Sequence, residues 1–239
     1  MLALLAAIPA HAQRSDYERE KRWADEIVPG LMVGEAVWLG SGRKFLGLYA
    51  EKKDARLAIL FVHGKGVHPD FGLIGNLRMS LTDAGYATLS IQMPILGADE
   101  PAERYKILNA EAISRIATAV SWLRGKGYRR IVLVSHSMGA RMANHYLSAN
   151  PKASLVAWVA LSITGGGFEP FAKPKFPVFD VFAEKDFEEV LATAERRAAV
   201  LKRLRGSSQT TVFRADHFYA GREKELASLI QILLEPEKK

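Results

Sequence analysis

The amino-acid sequence predicts an α/β fold in which helices cover both faces of a mostly parallel β-sheet. Two observations support this prediction. Short, continuous apolar runs, typical of strands buried on both faces, alternate along the chain with longer segments of helical periodicity. The 239 residues contain no internal repeat, low-complexity segment or interdomain linker, so we expect residues 13–239 to form a single domain.

The first segments differ from this alternating pattern. Residues 15–26 are strongly charged, with Trp23 and Ile27 as apolar anchors, which predicts an amphipathic helix or arm. Residues 35–39 and 44–50 flank a Gly-Ser-Gly sequence. Because glycines supply the positive φ of a tight turn, this pattern predicts a β-hairpin that adds antiparallel strands at one edge of the sheet.

The rest of the chain alternates between buried strands and helices. The predicted strands cover residues 57–62, 86–91, 131–134, 155–161, 178–183 and 209–213. The predicted helices cover residues 73–84, 103–124, 138–149, 188–204 and 222–234. The connection between the strands at 155–161 and 178–183 is too short for a helical cap, which predicts an open site.

Composition excludes several classes of site. The chain has no cysteine, so disulfides, thiolate metal sites and a cysteine nucleophile are excluded. Its formal net charge is +7, but Lys and Arg are spread along the chain and form no basic stripe interleaved with aromatic residues. This distribution favours a solvated basic surface over nucleic-acid binding. No carboxylate–histidine spacing suggests a metal, and we expect no cofactor.

The first twelve residues resemble the end of a signal peptide. An apolar run at residues 2–9 precedes Ala10-His11-Ala12, which has small residues at the −3 and −1 positions that signal peptidase requires. The run is short and no Lys or Arg precedes it, so we interpret residues 1–12 as a signal-peptide remnant cleaved after Ala12. The alternative is a frayed hydrophobic N-terminus. No other apolar stretch could span a bilayer, so we expect a periplasmic or secreted protein without stable membrane insertion.

One strand runs directly into a serine that has the surroundings of a nucleophile. The apolar run at 131–134 is followed by Ser135-His136-Ser137-Met138-Gly139, and a predicted helix begins at once. A nucleophilic serine must stand exposed on a sharp turn at the end of a strand, which requires small residues two positions to either side. Ser135 and Gly139 meet this requirement. The N-terminus of the following helix favours the negative charge that develops on a substrate oxygen.

This strand–turn–helix sequence resembles the nucleophile elbow of the α/β-hydrolase superfamily, in which Ser135 replaces the usual first glycine of G-x-S-x-G. The superfamily also has a His-Gly pair after an earlier strand, which corresponds to His63-Gly64 here. The resemblance implies that the backbone N–H groups of Lys65 and Met138 form an oxyanion hole, with Gly64 and Gly66 as competing donors on the loop. His63 could be catalytic, but the resemblance makes it structural.

The resemblance also implies the partners of Ser137. The acid follows a later strand, where Asp186 is favoured over Asp180 and Glu184, and the base follows the last strand, where His217 is the one histidine after residue 145. The chain order Ser137, Asp186, His217 is that of the superfamily. Asp186 would orient His217 and stabilise its imidazolium form. Substrate contacts are expected from Gly64, Gly66, His68 and His136.

The compact layout is similar to that of dienelactone-hydrolase-type proteins and of uncharacterised exported bacterial α/β-hydrolases. These comparisons imply a serine hydrolase that cleaves a small-molecule carboxylic ester through an acyl-enzyme. Thioester hydrolysis, peptide hydrolysis or acyl transfer would use the same residues. A non-catalytic exported binding protein on a hydrolase scaffold, or a basic envelope-associated protein, is the alternative of another class. The sequence does not determine the oligomeric state.

Overall fold

The structure is a computed structural model that describes residues 14–53, 55–168 and 174–234. Eight strands of this part of the chain form one sheet. The strands are β1 (Glu35–Leu39), β2 (Phe45–Ala50), β3 (Leu57–Val62), β4 (Ala87–Ile91), β5 (Arg130–His136), β6 (Ala157–Leu161), β7 (Val178–Lys185) and β8 (Ser208–Asp216).

The strand order is β1-β2-β4-β3-β5-β6-β7-β8. The β1–β2 and β2–β4 pairs are antiparallel, and every other neighbouring pair is parallel. The predicted hairpin therefore forms one edge of a sheet that is otherwise parallel. The sequence prediction of a mostly parallel sheet with an antiparallel edge is confirmed.

Seven helices of the described chain surround or flank this sheet. They are α1 (Tyr17–Ile27), α2 (Gly72–Asp83), α3 (Asn109–Gly125), α4 (Met138–Ala149), α5 (Glu188–Ala192), α6 (Ala194–Leu201) and α7 (Glu223–Leu234). Buried side chains of α3, α4 and α6 form the core on one face, while those of α2 and α7 form the core on the other.

Strand β3 shows why the sheet needs cover on both faces. Leu60 and Val62 belong to the core shared with α3 and α4, whereas Ile59 and Phe61 belong to the core shared with α2 and α7. Successive side chains of a strand point to opposite faces, so a continuous apolar run is stable only where both faces are buried.

Two predicted helices differ from the observed ones. The helix predicted over 188–204 is divided into α5 and α6 at Thr193, whose hydroxyl donates to the carbonyl oxygen of Glu189 (2.8 Å). A threonine side chain that bonds to the preceding turn often ends or bends a helix. The helix predicted over 103–124 begins as a 3₁₀ segment, Ala102–Leu108, and becomes α-helical only at Asn109.

The N-terminal prediction is only partly within the described chain. Helix α1 begins after Asp16, whose carboxylate accepts a hydrogen bond from the N–H of Arg19 (3.0 Å), as an N-cap aspartate does. The predicted signal remnant at residues 1–12 and the cleavage site after Ala12 lie outside the described residues.

Candidate active site

A sharp turn between β5 and α4 carries Ser137, the predicted nucleophile. Ser137 has φ 55° and ψ −123°, and a positive φ is uncommon for a residue other than glycine. Its N–H donates to the carbonyl oxygen of Leu161 at the end of β6 (2.9 Å). Because such a backbone conformation persists only where its surroundings impose it, this turn is itself a pointer to function.

Small residues beside Ser137 make the turn possible. A Cβ atom on Gly139 would lie 2.2 Å from the carbonyl oxygen of His63, so the start of α4 and the end of β3 approach backbone to backbone. On the other side, Ser135 is buried, and its hydroxyl oxygen accepts a hydrogen bond from the indole N–H of Trp158 (2.8 Å). A serine therefore fits where the superfamily usually has glycine.

The structure brings Ser137, His217 and Asp186 into one hydrogen-bonded chain. The distance from His217 Nε2 to Ser137 Oγ is 2.9 Å, and that from His217 Nδ1 to Asp186 Oδ1 is 2.6 Å. A carboxylate can only accept, so Nδ1 carries the proton and Nε2 accepts from the serine hydroxyl. Each of the three residues directly follows a strand, namely β5, β8 and β7.

Asp186 is held as an anion by the donors around it. Besides His217, its carboxylate accepts hydrogen bonds from the N–H groups of Ala183 (3.0 Å) and Phe187 (2.8 Å) and from the hydroxyl of Ser162. Burial opposes ionisation, but the hydrogen bonds from His217 and Ser162 outweigh it and lower the pKa of the carboxyl. A carboxylate with four donors has little capacity left for a proton.

Ser162 and Tyr219 extend this chain into the interior. Ser162 directly follows β6 with φ 48°, and its hydroxyl lies 2.8 Å from that of Tyr219. The Tyr219 hydroxyl in turn donates to the carbonyl oxygen of Val181 (3.0 Å). Neither residue was predicted from the sequence. The one signal for Ser162 was its place at the end of a strand that neighbours the strand before Ser137.

The loop at residues 63–68, called the oxyanion loop here after its predicted role, lies between β3 and α2 and borders Ser137. A Cβ atom on Gly64 would lie 3.3 Å from the Ser137 Cβ. Lys65 and Met138, the predicted oxyanion donors, both line the pocket that contains Ser137. Met138 is the first residue of α4, where N–H groups have no intrahelical partner. The assignment of the donors remains a prediction.

His63 fixes the oxyanion loop from within. Its Nδ1 lies 2.9 Å from the carbonyl oxygen of Gly64, and its Nε2 accepts a hydrogen bond from the N–H of Met93 (2.9 Å). Burial lowers the pKa of His63 to about 3, so the ring is neutral at physiological pH. These contacts support the structural interpretation of His63 over the catalytic one.

The four predicted substrate contacts divide into two pairs. Gly64 and His136 line the pocket, whereas Gly66 and His68 lie outside its lining. The ring of His68 instead packs edge-on against Trp23 (5.5 Å between ring centroids). His136 has a role that the sequence did not predict: its Nε2 lies 2.9 Å from the carbonyl oxygen of His217. Burial, and secondarily His217, lower the pKa of His136 to about 4, so its ring is a neutral donor.

The pocket above Ser137 has a volume of about 470 Å³. Its lining is mainly apolar, and three phenylalanines that were not predicted contribute to it. Phe187 stacks on His217 with 3.7 Å between ring centroids and 15° between planes. Each of the three is about half exposed, which places them at the mouth. The apolar and aromatic lining residues are Val67, Phe71, Leu73, Ile74, Ala102, Met138, Phe187, Phe218 and Ala220.

Three charged side chains, those of Lys65, Glu189 and Glu223, also line the pocket. Glu189 accepts a hydrogen bond from the N–H of Gly165 (3.2 Å). Two carboxylates against one ammonium leave the lining acidic on balance. A bound group that carries its own carboxylate is therefore disfavoured here, while a neutral group is not.

Asp180 and Glu184, the two alternatives to Asp186 as the acid beside His217, have other partners. Asp180 is fully buried and pairs with the guanidinium of Arg197 (2.8 Å), and burial raises its pKa against the attraction of that guanidinium. Glu184 accepts a hydrogen bond from the N–H of Arg214 (2.8 Å). Of the three acids considered from the sequence, Asp186 is the one bonded to His217.

Two other kinds of site are absent from the described residues. Within residues 14–53, 55–168 and 174–234, no group of three or more His, Cys, Asp or Glu side chains is arranged to hold a metal ion. In the same part of the chain, no helix has both the length and the apolar content needed to cross a bilayer.

One known family matches the chain, over less than half of its length. A family described as "Protein of unknown function (DUF3530)" matches residues 6–113. The match covers α1 through the start of α3 and ends before Ser137. A comparison with curated proteins finds no match.

Solved structures show the fold. A putative α/β-hydrolase from Agrobacterium tumefaciens has 17% identity and a TM-score of 0.66, over 83% of this chain and 94% of that one. A dienelactone hydrolase from Anabaena variabilis has 21% identity and a TM-score of 0.63 over the same shares. An α/β serine hydrolase without a lid, from Xanthomonas campestris, has 13% identity and a TM-score of 0.64, over 85% of this chain and 94% of that one. The chain has the α/β-hydrolase fold.

Proposed function

We propose that this protein is a serine hydrolase that cleaves carboxylic esters through an acyl-enzyme formed on Ser137. The observation that carries the proposal is the hydrogen-bonded chain from Ser137 through His217 to Asp186, at the base of an apolar pocket. The positive φ of Ser137 supports it, because a nucleophilic serine stands on such a turn between a strand and a helix.

The first half-reaction forms the acyl-enzyme. His217 Nε2 takes the proton of Ser137 as its Oγ attacks the ester carbonyl carbon. The negative charge on the tetrahedral oxygen is stabilised by the N–H groups of Lys65 and Met138. The bond to the alcohol oxygen then breaks, and the alcohol leaves with the proton from His217. Asp186 stabilises the transient imidazolium and keeps Nδ1 protonated throughout.

The second half-reaction reverses these proton transfers with water. A water molecule gives its proton to His217 Nε2 and attacks the acyl carbon. The same N–H groups stabilise the second tetrahedral oxygen. The bond to Ser137 Oγ breaks, the serine recovers its proton from His217, and the carboxylic acid is released. No step consumes a cofactor.

The pocket favours neutral, apolar esters of small to medium size. Its volume of about 470 Å³ lies in the range of small-molecule sites, and its aromatic mouth suits an acyl or alcohol group without charge. Only residues 162–177 connect β6 and β7, and we expect this length to be too short for a helical cap over Ser137. An ester can therefore reach the serine without the opening of such a cap.

The first experiment is labelling with a fluorophosphonate probe, which reacts with activated serines. We expect the wild-type protein to be labelled and Ser137→Ala to remain unlabelled. Ser228→Ala is the matched control, since Ser228 is exposed on α7 and bonds only to its own helix at Lys224. Failure of the folded wild-type protein to label would refute the proposal and favour a binding protein on the same scaffold.

A substrate panel then separates reactions that share the same residues. Oxygen esters and thioesters with the same acyl group, each assayed with water and with an added alcohol as acceptor, distinguish esterase, thioesterase and acyltransferase activity. We expect the highest kcat/KM for oxygen esters with water as acceptor. A clear preference for thioesters, or product formed mainly with the alcohol, would replace esterase by one of the other two activities.

A further inference from the structure

We propose that Arg19 of helix α1 is a positioning residue that holds the oxyanion loop in the conformation that stabilises the tetrahedral oxygen. The proposal rests on the proposed function, since it assigns Arg19 a part in the same reaction. Arg19 lies more than one hundred residues before Ser137 in the chain and is absent from the pocket lining. Its effect on catalysis would be exerted entirely through the loop.

The guanidinium of Arg19 connects two loops at once. Its Nη2 donates to the carbonyl oxygen of Gly66 in the oxyanion loop (3.3 Å), and its Nη1 donates to the carbonyl oxygen of Leu96 (3.2 Å). It also lies 4.5 Å above the ring of Trp23. Within the described chain its hydrogen-bond acceptors are these two main-chain carbonyls, and it forms no ion pair with a carboxylate.

At Gly66 the oxyanion loop has no side chain that packing could fix, and the residue has φ +66°. A Cβ atom built there would meet nothing within 4 Å. Glycine is the residue type with the greatest backbone conformational freedom. A charge-assisted hydrogen bond to its carbonyl is therefore a direct constraint on the Gly66–Val67 peptide, two peptide units after the one that contains the N–H of Lys65.

Trp23, one turn further along α1, supports the other end of the same loop. Its ring packs edge-on against His68 at 5.5 Å between centroids, and Arg19 in turn covers that ring. Helix α1 therefore contacts the oxyanion loop at Gly66 and at His68. This explains why His68 packs against α1 and lies outside the pocket lining.

Helix α1 is itself firmly attached to the strand end beside the loop. The N–H of Asp16 donates to the carbonyl oxygen of Ile95 (2.7 Å), and the Ser15 hydroxyl accepts from the N–H of Ile95 (2.7 Å). Glu20 pairs with the buried Arg115 (3.0 Å), which also donates to the carbonyl oxygen of Gln92 (2.9 Å). A guanidinium carried by a helix anchored in this way can fix the loop.

The test compares Arg19→Ala and Arg19→Lys with Arg22→Ala. Arg22 is exposed on the same helix and forms no hydrogen bond or ion pair with the described residues, so it controls for the loss of a charge from α1. Two measurements are made on each folded protein. Hydrogen–deuterium exchange follows the peptide that contains residues 64–68, and steady-state kinetics follow an ester across pH.

We expect faster exchange at residues 64–68 in Arg19→Ala alone. Its kcat should fall about tenfold. Loss of an entire oxyanion donor lowers kcat by about 10² to 10³, and a loosened loop should lose only part of the stabilisation that the donor provides. KM should change less than kcat, since most of the pocket wall lies outside the loop. The acid limb of the pH profile should not change, since His217 is not altered. Arg19→Lys should recover part of the rate, because an ammonium can still reach one carbonyl but not both.

Each other outcome is decisive. Unchanged exchange at residues 64–68 in Arg19→Ala would show that Arg19 does not constrain the loop. Faster exchange with unchanged kcat would show that the constraint does not serve catalysis. A fall in kcat shared equally by Arg22→Ala would indicate a general charge effect. Wild-type protein that neither hydrolyses esters nor labels at Ser137 would refute the proposed function itself. The hydrogen–deuterium exchange results do not depend on activity, so the two failures can be distinguished.

Discussion

Replacement of Gly139 by alanine should disable the active site while leaving most of the fold intact. The added Cβ would lie 2.2 Å from the carbonyl oxygen of His63 and 2.7 Å from that of Val62, whereas real Cβ contacts essentially never fall below 3.0 Å. The start of α4 and the end of β3 must therefore separate by about 0.8 Å. One of these elements carries the N–H of Met138, and the other leads into the oxyanion loop.

The expected magnitude follows from this displacement. Misplacement of catalytic groups by 1 Å can lower a rate by about 100-fold, so we expect kcat/KM of Gly139→Ala to fall by about that factor. Overpacking of a close contact destabilises a protein by about 1–3 kcal/mol, which a melting curve resolves. The loss of activity should greatly exceed the fraction of protein unfolded at the assay temperature.

The assay is ester hydrolysis and fluorophosphonate labelling of Gly139→Ala beside Gly125→Ala. Gly125 is the last residue of α3 and has nothing within 4 Å of its added Cβ. We expect Gly125→Ala to keep wild-type activity and to match or slightly exceed wild-type stability, since alanine is the better helix former. Wild-type kcat/KM in Gly139→Ala, with an unchanged melting temperature, would refute the reasoning. It would mean that the contact between the two backbones can accommodate a methyl group without displacement.

Three further predictions concern the surroundings of the site. Ser162→Ala removes one of four donors to Asp186 and should lower kcat about fivefold with KM unchanged, as loss of about 1 kcal/mol implies; a wild-type kcat would contradict this. The double variant Glu189→Gln/Glu223→Gln should raise the ratio of kcat/KM for a carboxylate-bearing ester to that for a neutral ester of the same shape by about threefold. An unchanged ratio would show that these two carboxylates do not select substrates. Burial holds the pKa of His136 at about 4 in the folded chain against 6.5 when unfolded, so this ring takes up a proton in the unfolded state first as pH falls. His136 by itself should lower the free energy of unfolding by roughly 3 kcal/mol between pH 6.5 and pH 4, and the buried His63 should add to the loss. Urea titrations at pH 7 and pH 4.5 should show this loss, and His136→Asn should reduce it; equal stability of the wild-type protein at both pH values would contradict it.

The central strands were predictable because their residues face core on both sides. The run at 57–62 has the length and the continuous apolar character of a strand buried on both faces, and the structure forms β3 over the same residues. Helix boundaries were less predictable. The division at Thr193 depends on whether its hydroxyl bonds to the preceding turn, and periodicity carries no information about that choice.

The site was predictable where chemistry forces a local pattern and unpredictable where it depends on distant packing. The small residues around Ser137 are required by its turn, so the sequence could locate it. The stacking of Phe187 on His217 and the contact of Arg19 with Gly66 join residues far apart in the chain. Only the packed fold brings such pairs together, and a single sequence taken by itself gives no pairing signal for them.

Strand β8 lies at the edge of the sheet and pairs only with β7, among the strands of the described chain. An edge strand opens at lower free energy than one enclosed on both sides, such as β5. Because His217 directly follows β8, local fraying of this strand would withdraw the general base from Ser137 while the interior stays compact. On warming or in dilute denaturant, we therefore expect the proposed activity to be lost before the cooperative transition that spectroscopy detects.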